Sequence, residues 1–344
     1  MNKKFPLWEK TRDFTTLIRA FYRASRGKFD RYSVLKFYQN LEENCLQIQS
    51  EIDAGQYPWG KYRRFMVEDP KRRVIESAPF RDRVVHHALH EALEPIFEPT
   101  FIAESYACRK GLGNHLAVKR LRGIIKQNPN LYFLQLDVRR YFPSIERGIL
   151  YDRIKLKVHE PPLLSLLRSL IDGGPGSLGI PIGNLTSQLF ANVYLSPLDH
   201  FIKRNLKVKH YLRYMDDLVV LDHDLKKLRI WKDKIQEFTK EKLKLSFHPH
   251  KVHLGKVSSG ISFLGYRTFP WGVYLRGKSL RRFYRKMHET ITLDKKVKRL
   301  LSYEGHFCHS EGSAHLKMRC RQIALESEGM HQEYRYLEKL EGLQ

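Results

Sequence analysis

The chain has 344 residues, 42% of them hydrophobic, so it can bury a substantial core and divide into two or three subdomains. Its 62 Lys and Arg residues against 37 Asp and Glu residues give a net charge of +25. No stretch approaches the ~20 apolar residues that span a bilayer, and the N-terminus lacks an apolar secretion signal. We therefore exclude membrane-spanning and secreted classes and expect a polyanionic partner.

The excess positive charge is spread along the chain in runs that also contain Tyr and Phe, which suits a polyanion with stackable bases. An anionic membrane would need an amphipathic anchor or a lipidation signal, and none appears, so we expect nucleic acid and no membrane contact. The four cysteines form no C-x-x-C motif, which favours reduced thiols and a cytoplasmic location. The basic runs lie at 22–31, 70–74, 137–142, 281–286 and 295–299.

Helical and strand periodicities alternate through the first part of the chain. Ser33 can begin a long helix that Gly55 ends, with Cys45 and Ile48 on its buried face. In chain order, the predicted elements are a helix at 33–54, strands at 61–68 and 72–76 joined by an acidic turn with Pro, a helix after Pro79, a helix near 114–127 and a strand that ends at Asp137.

A glycine-rich segment at 172–183 opens the second part and is predicted to bring backbone close to a ligand. It is not a phosphate-binding P-loop, because no Gly-Lys-Ser/Thr follows. Mixed strands and helices in this order indicate the α+β class with an antiparallel sheet. The later predicted elements are a helix at 184–202, a hairpin around Met215, a helix at roughly 225–243, a turn at 248–251, a strand pair at 260–266 and 272–276, and basic helices from Ser279 with the stripe Leu280, Phe283, Met287 and Ile291.

Two adjacent carboxylates, Asp216 and Asp217, lie between short apolar runs, and a third, Asp137, ends another strand-like run. By itself an Asp-Asp pair is more typical of a hairpin turn with solvated acids, although close carboxylates repel each other unless a cation neutralises them. Three carboxylates on a sheet can hold two Mg²⁺ ions for nucleotidyl transfer. One ion lowers the pKa of the attacking 3′-hydroxyl and the other stabilises the leaving pyrophosphate.

Five blocks in one order resemble the reverse transcriptases, and the resemblance runs from about residue 60 to 270. The blocks are the basic strand pair, the strand with Asp137, the glycine-rich segment with Ser187, the Tyr-Met-Asp-Asp hairpin, and Lys251 before Phe263-Leu264-Gly265. The resemblance implies a right-hand polymerase of fingers, palm and thumb, with an antiparallel palm sheet and a helical thumb.

The resemblance also implies domain bounds. The segment after Gly265 has room for a helical thumb but not for a ribonuclease H or endonuclease domain, so we expect those activities from other proteins. The expected bounds are 1–60 for a basic helical N-terminal extension, 61–269 for the fingers and palm (fingers about 61–82 and 147–181, palm about 83–146 and 182–269) and 270–344 for the thumb.

Residue roles follow from the matching motifs. The resemblance implies that Asp137, Asp216 and Asp217 are catalytic and, with the backbone carbonyl of Val138, bind two Mg²⁺ ions, for which Mn²⁺ can substitute. The implied nucleotide-binding residues are Arg73, Arg64, Phe142, Ile182, Gly183 and Lys251. The implied primer and template contacts are Tyr214, Met215, Ser187, Gln188, Phe263, Leu264 and Gly265.

Three of these roles have alternatives from the residues themselves. Phe142 matches the steric gate that excludes a ribose 2′-hydroxyl, although it is also consistent with a core aromatic. Arg73 matches the arginine that grips the triphosphate, but the adjacent Arg72 leaves the register open by one residue, and Arg64 can assist from the facing strand. Lys251 matches a proposed proton donor to pyrophosphate, and a surface lysine is nearly as consistent with the sequence.

The block from Ile182 to Gln188 distinguishes subfamilies. Many retroelement enzymes carry Gln-Gly-x-x-x-Ser-Pro here, whereas this chain has Ile182 for Gln and Gln188 for Pro, which resembles the reverse transcriptases of diversity-generating retroelements. Stretches at 105–118, 141–147 and 302–306 are similar to that group too. Replacing a hydrogen-bonding Gln by Ile removes a polar contact of about 1–3 kcal/mol, which loosens base discrimination.

This second resemblance implies a specific activity. The enzyme would copy a template-repeat RNA from a DNA or RNA primer, using dNTPs, into error-prone, adenine-mutagenised cDNA that diversifies a variable gene by retrohoming. The implied partner is a small basic oligomeric accessory variability protein, and the implied source is bacterial, archaeal or phage-encoded. The basic residues 12–31 and 281–299 are candidate docking surfaces for the RNA or this partner.

Three alternatives share part of this evidence. A group II intron- or retron-like reverse transcriptase without a mutagenic role would share the chemistry, but it should carry the Gln-Gly…Ser-Pro block or a maturase extension. An RNA-dependent RNA polymerase should have a small residue or Asp in place of Phe142. A non-enzymatic RNA-binding scaffold should not need an intact aspartate triad.

Overall fold

The structure is a computed structural model that describes residues 6–68, 72–174, 176–287, 289 and 292–325. Some predictions lie outside these residues. They are the centre of the turn between the first two strands, the stripe residue Ile291, the first five residues of the N-terminal extension and the end of the thumb after residue 325.

The N-terminal segment is helical, as its basic amphipathic pattern indicates. The helices are α1 (Leu7–Arg12), α2 (Phe14–Ser25), α3 (Tyr32–Gln39) and α4 (Leu41–Asp53). Asp13 begins α2, because its carboxylate accepts a 2.8 Å hydrogen bond from the backbone N–H of Thr16.

The single helix predicted at 33–54 is wrong. Asn40 leaves the helical region with φ −125° and ψ 49°, and it separates α3 from α4. The side-chain amide of Asn44 donates a 3.0 Å hydrogen bond to the carbonyl of Phe37 in the last turn of α3. The Asn44 side chain thus provides a hydrogen-bond donor for a carbonyl at the end of α3, and this bond favours the break between the helices. Apolar periodicity does not reveal such a bond.

The predicted strand pair and the helix after Pro79 are confirmed. Strands β1 (Arg63–Val67) and β2 (Arg73–Ser77) pair antiparallel, with Arg64 opposite Glu76 and Val67 opposite Arg73. Helix α5 (Phe80–Phe97) follows, and its predicted core residues Val84, Val85, Leu89 and Leu93 are fully buried.

The predicted elements in the middle of the chain occur in the predicted order, but two helices, at 147–155 and 161–172, were not predicted. The elements are α6 (Asn114–Gln127), β3 (Tyr132–Asp137), α7 (Arg147–Lys155), α8 (Pro161–Asp172), α9 (Leu185–His200), β4 (His210–Tyr214), β5 (Asp217–Asp222) and α10 (Leu225–Leu243). A strand that the periodicity did not predict, β6 (His253–Lys256), completes a four-stranded sheet in the order β4-β5-β3-β6. The mixture of helices and antiparallel strands is consistent with the α+β class.

The strand pair predicted after residue 260 is instead a three-stranded antiparallel sheet. Its strands are β7 (Ile261–Phe263), β8 (Tyr266–Thr268) and β9 (Val273–Leu275). Leu264 and Gly265, with φ of 51° and 91°, turn the chain between β7 and β8. The predicted strand at 260–266 is therefore itself a hairpin, because the left-handed turn conformation interrupts a run that looks continuous in apolar pattern.

The basic C-terminal segment forms helices, as predicted. They are α11 (Gly277–Met287), α12 (Leu293–Phe307) and α13 (Ser313–Leu325). The stripe residues Phe283 and Met287 are buried and pack with Val297, Leu300 and Phe307. The apolar stripe of an otherwise basic helix thus forms a core with its neighbour.

The chain divides into two compact units. The first contains residues up to Gly111, Gln135–Val219 and Arg229–His253, and the second contains Leu112–Leu134, Val220–Leu228 and the described residues from Leu254 onward. The predicted fingers, palm and thumb bounds remain a prediction. Within the described ranges, no helix combines the length and the apolarity that a bilayer crossing requires.

Candidate active site

The turn between β4 and β5 holds Met215 and Asp216, and Asp217 begins β5. Met215 takes a left-handed backbone conformation with φ 55°. The backbone N–H of Val138 donates a 3.0 Å hydrogen bond to the carbonyl of Asp216. This bond joins the end of β3, which carries Asp137, to the turn that carries the two adjacent aspartates.

Asp137 is held by a cation of the chain itself. Lys251 donates from Nζ to both carboxylate oxygens of Asp137 at 2.7 Å. The backbone supports this position, because the N–H of His248 donates to the carbonyl of Asp137 at 2.8 Å. The sequence was consistent with Lys251 either as a surface lysine or as a functional one. In the structure it contacts the carboxylate that is predicted to be catalytic.

Asp216 is a partly buried carboxylate close to the negative charge of Asp137. Burial raises its pKa above the ordinary value, and the Asp137 carboxylate raises it further. Its own backbone N–H opposes this increase, as do the positive charges of Arg73 and Lys251. The charged form of Asp216 therefore depends on nearby cations.

Asp217 shows the same effect more strongly. Burial raises its pKa to about 7, and the carboxylates of Asp137 and Asp216 contribute to the increase. Gln135 on β3 partly offsets this shift, because its side-chain amide donates a 3.0 Å hydrogen bond to Oδ1 of Asp217. Gln135 was not predicted as a site residue, although its place two residues before Asp137 puts it on the same face of the strand.

A buried ion pair that the sequence did not predict contacts the backbone of the turn. Arg213 and Asp199 are both 0% exposed, and the guanidinium makes three hydrogen bonds of 2.7–3.0 Å to the carboxylate. Nη1 of Arg213 also donates to the carbonyl of Met215 at 3.0 Å and to the side chain of Asn192 at 3.0 Å. Tyr211 donates to Asp199 from its hydroxyl at 2.8 Å. The turn is thus fixed by a fully buried network.

The two predicted triphosphate arginines occupy different faces of the β1–β2 pair. Arg64 lies opposite Glu76 and forms an ion pair with it at 3.1 Å. Arg73 lies three residues before Glu76 on β2, and side chains alternate along a strand, so the two arginines point to opposite faces. Of these two arginines, Arg73 is the one whose positive charge lowers the pKa of Asp216. Arg72 instead donates from Nε to the sulfur of Met66 at 3.3 Å.

The block before α9 approaches the β1–β2 pair closely. The backbone N–H of Glu76 donates a 3.0 Å hydrogen bond to the carbonyl of Ile182. Gly183 has φ 120°, and a Cβ added there would lie 3.1 Å from Cγ2 of Ile75. The backbone at Gly183 thus lies close to strand β2, and the approach of this segment to a ligand remains a prediction.

Phe142 is tied to the same segment. It begins a short 3₁₀ turn, Phe142–Ser144, and its carbonyl accepts a 3.0 Å hydrogen bond from the N–H of Ile180. Its ring lies 5.6 Å from that of Tyr141, centroid to centroid. Its role as a steric gate remains a prediction.

The predicted primer and template residues differ in exposure. Ser187 is 3% exposed within α9, whereas Gln188 lines a pocket. Tyr214 and Met215 are partly buried at the hairpin turn. In the second unit the Phe263 ring is fully buried, and Leu264 and Gly265 form the hairpin turn after it. Their contacts with nucleic acid remain predictions.

The aspartates suit a hard divalent cation by their chemistry. Within the residues that the structure describes, no three His, Cys, Asp or Glu side chains are grouped closely enough to hold a metal ion as they stand. Carboxylate and carbonyl oxygens are nevertheless the ligands that Mg²⁺ prefers. The raised pKa values of Asp216 and Asp217 mean that their ionised forms are disfavoured here, and a divalent cation beside them would favour those forms. Metal binding by Asp137, Val138, Asp216 and Asp217 remains a prediction.

Comparison with known proteins identifies the family. Residues 68–268, more than half of the chain, match the family model described as reverse transcriptase (RNA-dependent DNA polymerase). The chain belongs to the reverse transcriptase family. The match includes Arg73, the three aspartates and the Phe263-Leu264-Gly265 hairpin turn, whereas strand β1 with Arg64 precedes it, so this reverse transcriptase carries most blocks of the family resemblance within one domain match.

Similar proteins include bacterial and organellar intron proteins. Protein YkfC of Escherichia coli (strain K12) is 22% identical over 265 residues, which cover 64% of this chain and 70% of that protein. The group II intron-encoded protein LtrA of Lactococcus lactis subsp. cremoris is 27% identical over 202 residues, covering 53% and 33%. Nuclear intron maturase 4, mitochondrial, of Arabidopsis thaliana is 27% identical over 194 residues, covering 54% and 24%. The reverse transcriptase thus spans only a third or less of the last two proteins.

Proposed function

We propose that this reverse transcriptase extends a DNA or RNA primer on an RNA template with deoxynucleotides, and that Asp137, Asp216 and Asp217 are its catalytic carboxylates. The observation that carries the proposal is the 3.0 Å hydrogen bond between the N–H of Val138 and the carbonyl of Asp216. It joins the two chain segments that supply the carboxylates, which are far apart in sequence.

The proposed metal ligands are the three carboxylates and the backbone carbonyl of Val138. When bound there, Mg²⁺, or Mn²⁺ in its place, would activate the primer 3′-hydroxyl and stabilise the pyrophosphate leaving group. The charge coupling supports this assignment, because the Asp137 carboxylate raises the pKa of Asp216, and Asp137 and Asp216 together raise the pKa of Asp217.

The proposed roles of the basic residues follow from their positions. Arg73 would hold the triphosphate, which its charge interaction with Asp216 supports. Lys251 would donate a proton to pyrophosphate, which its two 2.7 Å hydrogen bonds to Asp137 support. Arg64 would assist less directly, since its guanidinium is paired with Glu76.

Phe142 would exclude the 2′-hydroxyl of a ribonucleotide by its bulk. The hydrogen bond from Ile180 to the carbonyl of Phe142 supports the placement of this ring beside the block that begins at Ile182. Ile182 and Gly183 would contact the new base pair, Ser187 and Gln188 the template, and Tyr214, Met215, Phe263, Leu264 and Gly265 the primer strand.

The proposed biological role is that of a diversity-generating retroelement enzyme. It would copy a template-repeat RNA into adenine-mutagenised cDNA for mutagenic retrohoming into a variable gene, together with a small basic oligomeric accessory variability protein. Ile182 in place of Gln and Gln188 in place of Pro support this role, because an apolar side chain at position 182 cannot check base-pair geometry by hydrogen bonding.

A group II intron- or retron-like reverse transcriptase without a mutagenic role is the second candidate. The similarity to the group II intron-encoded protein LtrA and to an intron maturase favours it. In that case the same carboxylates would act on an intron or other structured RNA. The presence of Ile rather than Gln at position 182 would then not lower the fidelity of copying.

The double variant Asp216→Ala/Asp217→Ala tests the proposed chemistry. We expect primer extension on RNA to fall below detection, because the metal ligands are lost, while the affinity for RNA stays within about twofold. Extension by gel assay and RNA binding by fluorescence anisotropy measure the two effects. The proposal fails if extension survives, since a scaffold or a different active site would then be responsible.

Sequencing cDNA made on a defined RNA tests the proposed biological role. We expect errors concentrated at template adenines, and we expect Ile182→Gln to reduce their frequency several-fold by restoring a polar contact of about 1–3 kcal/mol. Uniform, low error rates in the wild-type enzyme would favour the intron- or retron-like alternative and leave the polymerase assignment unchanged.

A further inference from the structure

One buried side chain in the first unit holds the glycine-rich loop, residues 172–180. Arg147, the first residue of α7, is 7% exposed, and its guanidinium donates hydrogen bonds to three backbone carbonyls of this loop. Nε donates to Gly179 at 2.9 Å, Nη1 to Asp172 at 3.0 Å and Nη2 to Gly174 at 3.0 Å. A charged donor makes such bonds stronger than a neutral one does, and the planar guanidinium fixes their directions. Arg147 therefore holds both ends of the loop.

The second end of the glycine-rich loop packs against the short turn that begins at Phe142. The N–H of Gly179 donates to the carbonyl of Ile145 at 2.9 Å, and the N–H of Ile180 donates to the carbonyl of Phe142 at 3.0 Å. There is no room between the two backbones, because a Cβ added at Gly179 would lie 2.8 Å from Cα of Pro143. A displacement of the loop at Gly179 would therefore displace the turn with it.

The side chain of Phe142 is partly exposed on this turn, so a ligand can reach it. The preceding residue, Tyr141, is 3% exposed, and its hydroxyl donates a hydrogen bond to the carbonyl of Ala191 in α9. The turn is thus fixed to α9 through Tyr141 and to the glycine-rich loop through the backbone of Phe142. These contacts hold the backbone, and the place of the Phe142 ring follows from the backbone that they hold.

We propose that Arg147 is a positioning residue for the discrimination between deoxyribonucleotides and ribonucleotides. It holds the glycine-rich loop against the turn and thereby keeps the Phe142 ring where a ribose 2′-hydroxyl would meet it. The proposal rests on the proposed function, which assigns the steric gate to Phe142. Exclusion by bulk depends on position, because a displacement of ~1 Å is enough to change the fit of a reacting substrate. Arg147 acts through the loop and is not itself a catalytic residue.

The test measures how well each variant discriminates between a dNTP and the rNTP with the same base. Single-nucleotide primer extension on an RNA template gives kcat/KM for both substrates, and the ratio of the two values is the discrimination. Arg147→Met removes the three hydrogen bonds to the loop, whereas Arg147→Lys keeps the charge and some of the donors. If Arg147→Met does not fold, Arg147→Gln replaces it, because its shorter amide cannot reach all three carbonyls and the same criteria apply.

Arg109→Met is the matched control for the loss of a largely buried guanidinium. The Arg109 side chain is 9% exposed and pairs with Glu98, and its Nη1 donates to the backbone carbonyls of Ile102 and Ser105. It thus holds a different backbone segment of the same unit. Thermal unfolding of both variants shows how much stability each loses, so that a change in discrimination can be separated from a change in stability.

We expect Arg147→Met to lower the discrimination by about tenfold or more, which is the size of effect that one steric contact in a binding site can produce. The kcat/KM for the rNTP should rise relative to that for the dNTP, because the displaced ring no longer meets the 2′-hydroxyl. Arg147→Lys should lie between the wild type and Arg147→Met, since an ammonium group can bond some of the three carbonyls. Arg109→Met should keep the wild-type discrimination even if it is equally destabilised.

The double variant Phe142→Ala/Arg147→Met shows whether Arg147 acts through Phe142. We expect Phe142→Ala to remove most of the discrimination, and Arg147→Met to lower it no further in that background, because the side chain to be positioned is absent. A further loss in the double variant as large as the loss in Arg147→Met would overturn the proposal.

Equal losses of kcat/KM for the dNTP and the rNTP in Arg147→Met would also overturn it, because they would show a role in folding alone. The proposed function would stand in that case, provided that the wild type extends primers and Phe142→Ala loses discrimination. Unchanged discrimination in Phe142→Ala would reject the gate and, with it, the role of Arg147. Absence of primer extension by the wild type would reject the proposed function as a whole.

Discussion

At the residue scale, Arg213 and Asp199 form an ion pair in the first unit that has no exposure to solvent. Burial by itself lowers the pKa of Arg213, but the Asp199 carboxylate more than offsets this effect and the pKa is raised. The pair is favourable only because the guanidinium and the carboxylate satisfy each other and their neighbours by hydrogen bonds. Its bond to the carbonyl of Met215 connects this balance to the turn with the aspartates.

Removing one partner of this pair should be costly. We expect Arg213→Met to lower the free energy of unfolding by about 3–5 kcal/mol, because the Asp199 charge is left buried without a counter-ion. Urea unfolding followed by circular dichroism would measure it. Arg168→Met is the matched control, since Arg168 pairs with Asp172 on the surface and should cost no more than about 1 kcal/mol.

The double variant Asp199→Leu/Arg213→Met should recover part of the lost stability, because no charge remains buried. If Arg213→Met and the Arg168→Met control destabilise the protein equally, the buried network does not have the energetic weight assigned to it. The double variant also lacks the hydrogen bond from Arg213 to the carbonyl of Met215. If it is folded, its rate of primer extension shows whether that bond to the turn affects activity.

At the element scale, the contact between β2 and the segment before α9 is set by backbone geometry. The hydrogen bond from Glu76 to the carbonyl of Ile182 and the absence of a side chain at Gly183 allow the two segments to approach. Because Arg73 lies on β2 and Ile182 precedes α9, this contact sets the spacing between two proposed nucleotide-binding residues.

Gly183→Ala should disturb that contact. The added Cβ would lie 3.1 Å from Ile75 in a backbone conformation, φ 120°, that L-residues rarely adopt. We expect a loss of about 1 kcal/mol or more in unfolding free energy and a lower primer-extension rate. Gly148→Ala in α7 is the control, because a Cβ there meets nothing within 4 Å and should leave both quantities nearly unchanged. A harmless Gly183→Ala would show that the segment does not need this approach.

Sequence periodicity predicted the long amphipathic elements well. Helix α6 agrees with its predicted bounds of 114–127, and α10 agrees with 225–243, because each has an apolar stripe over many turns. The break at Asn40 and the hairpin turn at Leu264 were missed. Both depend on one or two residues that leave the regular backbone region, which an apolar pattern does not register.

At the scale of the whole molecule, buried histidines should make the fold sensitive to acid. Burial lowers the pKa of His86 to about 3 and the pKa values of His87 and His306 to about 4. An unfolded histidine takes up a proton near pH 6.5, whereas the folded His86 stays neutral until about pH 3. Protonation thus favours the unfolded chain between these values, and the stability is fully present above pH 6.5.

We expect the unfolding free energy of the wild type to decline below pH 6.5. His86 should contribute up to about 1.4 kcal/mol per pH unit, because it is 2% exposed. His86→Gln should make the decline shallower, and urea unfolding from pH 7.5 to 5 would measure both curves. Parallel curves for the wild type and the variant would contradict the assignment of this acid sensitivity to His86.

The family resemblance, most of the long elements and the acidic residues can be recognised from the amino-acid sequence alone. These follow from local patterns, since a strand-ending Asp137, a Tyr-Met-Asp-Asp turn and a basic strand pair can each be recognised along the chain. The positive charge likewise identified nucleic acid as the expected partner.

Which residues from different elements are in contact is known only from the three-dimensional structure. The Lys251 contact with Asp137 and the buried Arg213–Asp199 pair each join residues on different elements. Such contacts depend on how the elements pack and on which charged groups lose contact with water when they do. A one-dimensional pattern does not contain that information.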